Sequence, residues 1–324
     1  MKLDLIFSIG PACRPAYYLK MNFLRTFASP LDWQMSYSLD TCLHLFQTSF
    51  RTFFSEIRED THRKGAHDNR RIIDTLNSIT SIHHFDSRIP LDDALAGFHR
   101  VMQKRYEQLH AAILKSHTVG LICNREDPIN YLSAFLSSFG RIYPDTGFIL
   151  VNIRNQNEAA SISMEEYTLN ARLAIREYTF HDVYPYAEYR EEREWLGCPE
   201  KWNSILHDYC VSQHPLAQCV EKAVSLNKPV RLYGAGVYCR KIIRFLEKYS
   251  FRVSGILVTP GTDNPDTVEG IPVVASGDSP VSCRDDLVII SVTDTSESLK
   301  IRDHLQSLGF TSIIRIDSLL RMLP

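Results

Sequence analysis

Ser8-Ile9-Gly10-Pro11-Ala12-Cys13 is the stretch from which the first half of the chain is read. It follows an apolar run, Leu3 to Ile9, that predicts a short buried strand. It precedes Pro15 to Leu24, where Ala16, Leu19 and Phe23 recur on one side of an amphipathic helix. Gly10-Pro11 marks the turn between them. Cys13 therefore stands at the mouth of a helix, where unpaired N–H groups and the positive end of the dipole favour a thiolate. A cysteine so placed is a candidate nucleophile; the competing reading is a small buried residue at a tight turn.

Outward from this turn, Leu39, Leu43, Phe46, Phe50 and Phe53 predict a second helix over 38–54. Residues 55–72 are dense in charge and read as a solvated segment. A short strand is expected over 78–85, a long helix over 91–116, and buried strands over 119–123 and 148–153 with a helix over 128–139 between them. A polar connection spans 155–163, and a short helix is expected over 199–207. In the last third, strands at 229–233, 253–258, 271–274, 287–292 and 312–316 alternate with helices after Gly236 and over 298–308, and 212–228 reads as a linking helix. The overall expectation is α/β: an α+β N-terminal domain over 1–211, then a parallel-sheet, Rossmann-like domain over 226–324.

The chain of 324 residues is long enough for two cores. A net charge of −2 gives no electrostatic reason to expect nucleic acid as a partner. No apolar stretch approaches the ~20 residues that span a bilayer, and the N-terminus lacks the pattern of a secretion signal. Eight cysteines without a C-x-x-C pair suit a reducing cytoplasm.

The ordered set S-x-G-x-x-C at Ser8–Cys13, A-Y-x-L at Ala16–Leu19, Leu24-Arg25 and S-P-x-D-W at Ser29–Trp33 resembles a bacterial family of papain-like cysteine peptidases, over roughly residues 3 to 210. The resemblance implies a thiol hydrolase or acyl transferase with Cys13 as nucleophile, needing no cofactor for its chemistry and acting on a small-molecule, peptide or amide substrate. Such chemistry needs a base. The resemblance points to the His83-His84-Phe85-Asp86 region. If that segment is extended, His83 and His84 face opposite ways, so one of them faces Cys13. His84 is slightly favoured, with Asp86 two residues on along the same face to orient its ring. His181-Asp182 is a rival pair. Ser29-Pro30-Leu31-Asp32 is turn chemistry by itself; its functional reading walls the cleft beside Cys13, with Asp32 touching His84 or substrate.

His207, Cys210, His214 and Cys219 are zinc-ligand types, but Pro215 interrupts their register and no metal site is assigned. Gly234-Ala235-Gly236 gives a strand-to-helix turn without the third glycine of a dinucleotide fingerprint, and the strand ending at Val258 lacks the acidic residue that holds an NAD ribose. G-A-G-x-x-x-R at Gly234–Arg240 and N-P-x-x-x-x-G-I-P-V at Asn264–Val273 resemble Rossmann-like modules of bacterial sugar-modifying and surface-glycan enzymes. That resemblance implies a nucleotide or nucleotide-sugar ligand near Gly234, Gly236 and Arg240. The alternative function is a non-catalytic binding or scaffold protein of surface-polysaccharide synthesis.

Overall fold

Strand alternation explains how the N-terminal sheet is covered. Leu5 and Phe7, like Val119, Leu121 and Cys123, enter one aromatic-rich core, while Ile6 is buried outside it. A Cβ placed on Gly120 would meet the side chains of Ile6 and Leu3, so the second face is packed as well. Such two-faced burial is the habit of parallel sheets. The computed structural model describes residues 1–157 and 159–315 and divides into two compact units, Met1–Val211 and the chain from Ser212 onward.

The main sheet of the first unit runs Leu5–Ser8, Thr118–Cys123, Gly147–Asn155, Leu173–Phe180, Ser163–Asn170. The first four strands are parallel and the last is antiparallel. Helices Leu39–Gln47, Leu91–Leu114 and Ile129–Ile142 contribute Phe46, Phe98, Tyr106, Phe135 and Phe139 to the core. Helix Cys13–Met21 meets helix Pro199–His207 through Tyr18 stacked on Trp202, ring centroids 4.9 Å apart. Lys2–Leu3 pairs in parallel with Cys210–Val211, which joins the two ends of the unit.

A second, four-stranded antiparallel sheet positions the site. Its order is Gln34–Met35, Ile79–Ser81, Ile72–Asp74, Ile57–Glu59. The charge-dense segment expected to be solvated thus supplies the strand Ile57–Glu59 and leads into Ile72–Asp74. Asp74 is the reason that segment folds in: its buried carboxylate accepts from Phe54 N at 2.7 Å, Asn77 N at 3.0 Å and Asn77 Nδ2 at 2.8 Å. The helix expected over 38–54 stops at Gln47, because Ser49, Phe50 and Phe54 take left-handed φ of 54°, 58° and 53°.

The second unit is mixed α/β with a parallel sheet. Strands Val230–Tyr233, Val253–Val258, Ile271–Ala275, Leu287–Ile290 and Ser312–Arg315 are all parallel, in the spatial order third, second, first, fourth, fifth. Thr267–Val268 adds an antiparallel edge. Ile316, the expected end of the last strand, and the remainder of the domain expected to reach residue 324 lie outside the described residues.

Candidate active site

Cys13 is the first residue of its helix, preceded by Ala12 in extended conformation. Gly10 makes the approach possible. Its φ is +53°, and a Cβ there would lie 2.0 Å from the Tyr37 hydroxyl oxygen, so any side chain would displace the turn.

The pairing of Gln34 with Ser81 across the small sheet brings the Trp33 loop beside the chain leaving Ser81. His83 follows in that chain, and its Nε2 stands 3.5 Å from Cys13 Sγ. Trp33 meets the His83 ring edge-on at 5.6 Å, and Trp33 itself holds a left-handed φ of 67°. A bulky residue kept in that region marks a spot where surrounding structure overrides local preference.

The expectation favoured His84 as the ring facing Cys13, and the structure brings His83 to the sulfur instead. The segment after Ser81 is irregular rather than extended, so the two-face alternation does not apply. His84 Nδ1 instead lies 2.9 Å from Ser81 Oγ and 3.5 Å from Gln34 Nε2, and its ring edge packs on Phe98 at 5.5 Å. Burial drives its imidazole down to about 3, with help from the nearby Arg105 charge. Asp86 does not reach either histidine. It makes a bidentate pair with Arg88, at 2.6 to 3.2 Å, and these hydrogen bonds hold its carboxyl down at about 2. Asp32 is buried in its own loop, accepting from Ser29 N at 3.0 Å and facing Arg25 Nε at 3.1 Å. Burial pushes its carboxyl up, opposed by Arg25. Among the described residues no hydrogen-bond partner meets the second ring nitrogen of His83.

The helix mouth was expected to favour a thiolate, and here burial outweighs it. The Cys13 thiol is pushed up to about 11, first by desolvation and further by the Asp32 charge, against the pull of its own backbone N–H. His83 moves the opposite way, below the usual imidazole value, because it is half-buried and His67 is near. Both shifts favour the neutral forms. These directions describe a thiol facing a neutral imidazole.

The rival pair has another task. Asp182 forms an ion pair with Arg14, the residue after Cys13. Its Oδ1 also accepts from Cys198 N at 2.8 Å and from Trp202 Nε1 at 3.0 Å. Arg14 reaches further to the carbonyls of Trp195 at 2.7 Å and Glu194 at 3.0 Å. This latch holds Trp195 edge-on against Tyr17 at 5.1 Å, and both rings line the cleft. The cleft measures about 780 Å³ and is lined by Cys13, His67, His83, Trp33 and Trp195 among others. Asp182 was read only as a partner for His181, so the latch went unseen; the signal available was an arginine directly after the candidate nucleophile.

Among the described residues no group of three or more histidines, cysteines or carboxylates is placed to hold a metal. His214, one of the zinc-type residues, is buried against Phe245 at 4.5 Å. Among the described helices none is long and apolar enough to cross a membrane.

Comparison with known proteins matches residues 4–111 to a family described as "Putative papain-like cysteine peptidase (DUF1796)". The matched span contains Cys13, the Trp33 loop and His83. No curated protein matches the chain. No solved structure matches it either.

Proposed function

We propose that the N-terminal unit is a thiol hydrolase or acyl transferase with Cys13 as nucleophile and His83 as base. The observation that carries this reading is the 3.5 Å approach of His83 Nε2 to Cys13 Sγ inside an open cleft, a reach suited to proton transfer. On attack, Sγ forms a bond to the acyl carbon while its proton passes to His83 Nε2. The carbonyl electron pair moves onto oxygen, and the Cys13 backbone N–H at the helix mouth is the nearest donor for that charge. Collapse breaks the bond to the leaving group, which takes the proton back from His83. Water or another acceptor then attacks the thioester, giving its proton to His83, and the thiol is restored. Asp32, within electrostatic reach of the sulfur, discourages premature thiolate formation.

Incubation with p-nitrophenyl acetate tests the assignment. One acetyl group should appear on Cys13 by peptide mass spectrometry, and none in Cys13→Ala. Acetylation spread over other residues, or unchanged in that variant, overturns it.

For the second unit, the reading is a Rossmann-like domain that takes a nucleotide or nucleotide sugar beside Gly234, Gly236 and Arg240. It rests on strand order: the glycine turn follows the central strand Val230–Tyr233, where the order of strand addition switches from the Val253–Val258 side to the Leu287–Ile290 side. Open α/β sheets bind ligands at such a switch point. Titrating the full chain with UDP-glucose and with ADP should give saturable binding to at least one of them, weakened tenfold in Arg240→Ala. Absence of binding by both at millimolar concentration overturns it.

A further inference from the structure

The catalytic reading leaves open what the cleft accepts, and its walls answer in terms of charge and shape. Among the described residues no carboxylate lines it. Among those residues Arg14 is the only Lys or Arg side chain in the lining, and its guanidinium is committed to Asp182 and to the carbonyls of Glu194 and Trp195. Neither an anionic nor a cationic substrate group therefore finds a counter-charge from a free carboxylate or guanidinium. What the walls do offer is apolar surface: Trp33, Met35, Ile82, Tyr17 and Trp195. Trp195 leaves 45 % of its surface exposed, although its backbone carbonyl is fixed by Arg14. A large aromatic ring in a cleft wall with part of its surface exposed is a platform for apolar contact. The volume of about 780 Å³ lies within the ~300–1,000 Å³ of sites that enclose small organic ligands.

We infer that the substrate of this site carries an uncharged, apolar acyl group, seated between Trp33, Ile82 and Met35 and flanked by Trp195. The inference rests on the reading of Cys13 and His83 as the reacting pair. It also gives the latch a purpose: an ion pair adjacent to the nucleophile fixes the wall that grips the acyl chain. Closing an apolar chain over the sulfur excludes water from the attack step, and that suits a resting pair kept neutral.

The test is binding, read separately from reaction. The full-length protein, and Cys13→Ala beside it, are titrated at pH 8 with octanamide, hydrocinnamamide, octanoate, octylammonium and acetamide, following tryptophan fluorescence. At least one of the two uncharged apolar amides is expected to bind tenfold or more tighter than octanoate, octylammonium and acetamide, in both proteins. The two amides separate an aliphatic from an aromatic acyl preference. Trp195→Ala should weaken that amide about tenfold, Trp195→Phe should restore most of it, and circular dichroism of both variants should match the parent. Octanoate or octylammonium binding within threefold of the better amide overturns the inference, as does indifference to Trp195→Ala. Acetylation that ignores Cys13, alongside selective amide binding, sinks the catalytic reading and leaves the apolar site standing.

Discussion

Replacing His83 by alanine should slow acylation of Cys13 by about 10²- to 10⁴-fold at pH 7.5, the usual worth of a positioned base. The effect is large because the pull of the backbone N–H on the sulfur does not overcome burial. Burial lifts its thiol to about 11, so almost none is ionised at neutral pH. In the unaltered protein, proton transfer to His83 accompanies attack. The rate therefore follows the neutral imidazole, and because His83 titrates below the usual imidazole value, acylation should persist through pH 6.5 and fall only at lower pH. In His83→Ala the base is gone and only thiolate attacks, so the rate should climb about tenfold per pH unit toward pH 11. Alkylation by iodoacetamide gives an independent reading. Raising a thiol from its ordinary 9.0 to about 11 cuts the thiolate roughly 100-fold, and the greater nucleophilicity of a more basic thiolate returns about tenfold. With the base removed in His83→Ala, Cys13 should react about tenfold slower than free cysteine at pH 7.5, and its alkylation rate should climb with pH. A plateau in alkylation rate below pH 8 in that variant would mean a thiolate formed without His83 and would refute the assignment of His83 as base. His84→Ala, by contrast, removes a ring that touches Ser81, Gln34 and Phe98, and the pH dependence of acylation should keep its shape.

The largest loss of stability is expected from Asp182→Ala. One buried carboxylate serves Arg14, the Cys198 amide and the Trp202 indole. Deleting it leaves two buried donors without their acceptor and a half-buried cation without its counter-ion. Breaking a buried pair from one side costs about 3–5 kcal/mol, and for a unit of this size that is roughly 6–20 °C in melting temperature. All three tryptophans, Trp33, Trp195 and Trp202, fall in the first unit, so their fluorescence follows its unfolding alone. Asp182→Asn keeps an acceptor for Cys198 and Trp202 while losing the charge, and should melt between the two. Equal melting of all three proteins would show that the latch contributes nothing.

The elements with simple periodicity were legible before any coordinates. The strands Thr118–Cys123 and Gly147–Asn155 and the helix Pro199–His207 sit within two residues of where their patterns placed them. Cys13 at a helix start was legible too, because Gly-Pro after an apolar run leaves few alternatives. The partner of Cys13 was not. Its position depends on Gln34 pairing with Ser81, and on Asp74 drawing a charge-rich hairpin into that sheet. Charge density reads as solvation in one dimension, and a single buried carboxylate with three donors reverses that reading in three. The direction of the Cys13 shift was likewise out of reach: a dipole argument sees the helix end, whereas the opposing desolvation comes from walls contributed by residues as far on as Trp195.

Arg14 grips a carboxylate 168 positions further along the chain. During synthesis, more than half of the polypeptide must emerge before that grip can close. Until then the sulfur next to it has no finished chamber, and a truncated product ending near residue 111 would carry Cys13 and His83 without the far wall. Maturation of the chamber is thus tied to completion of the first unit.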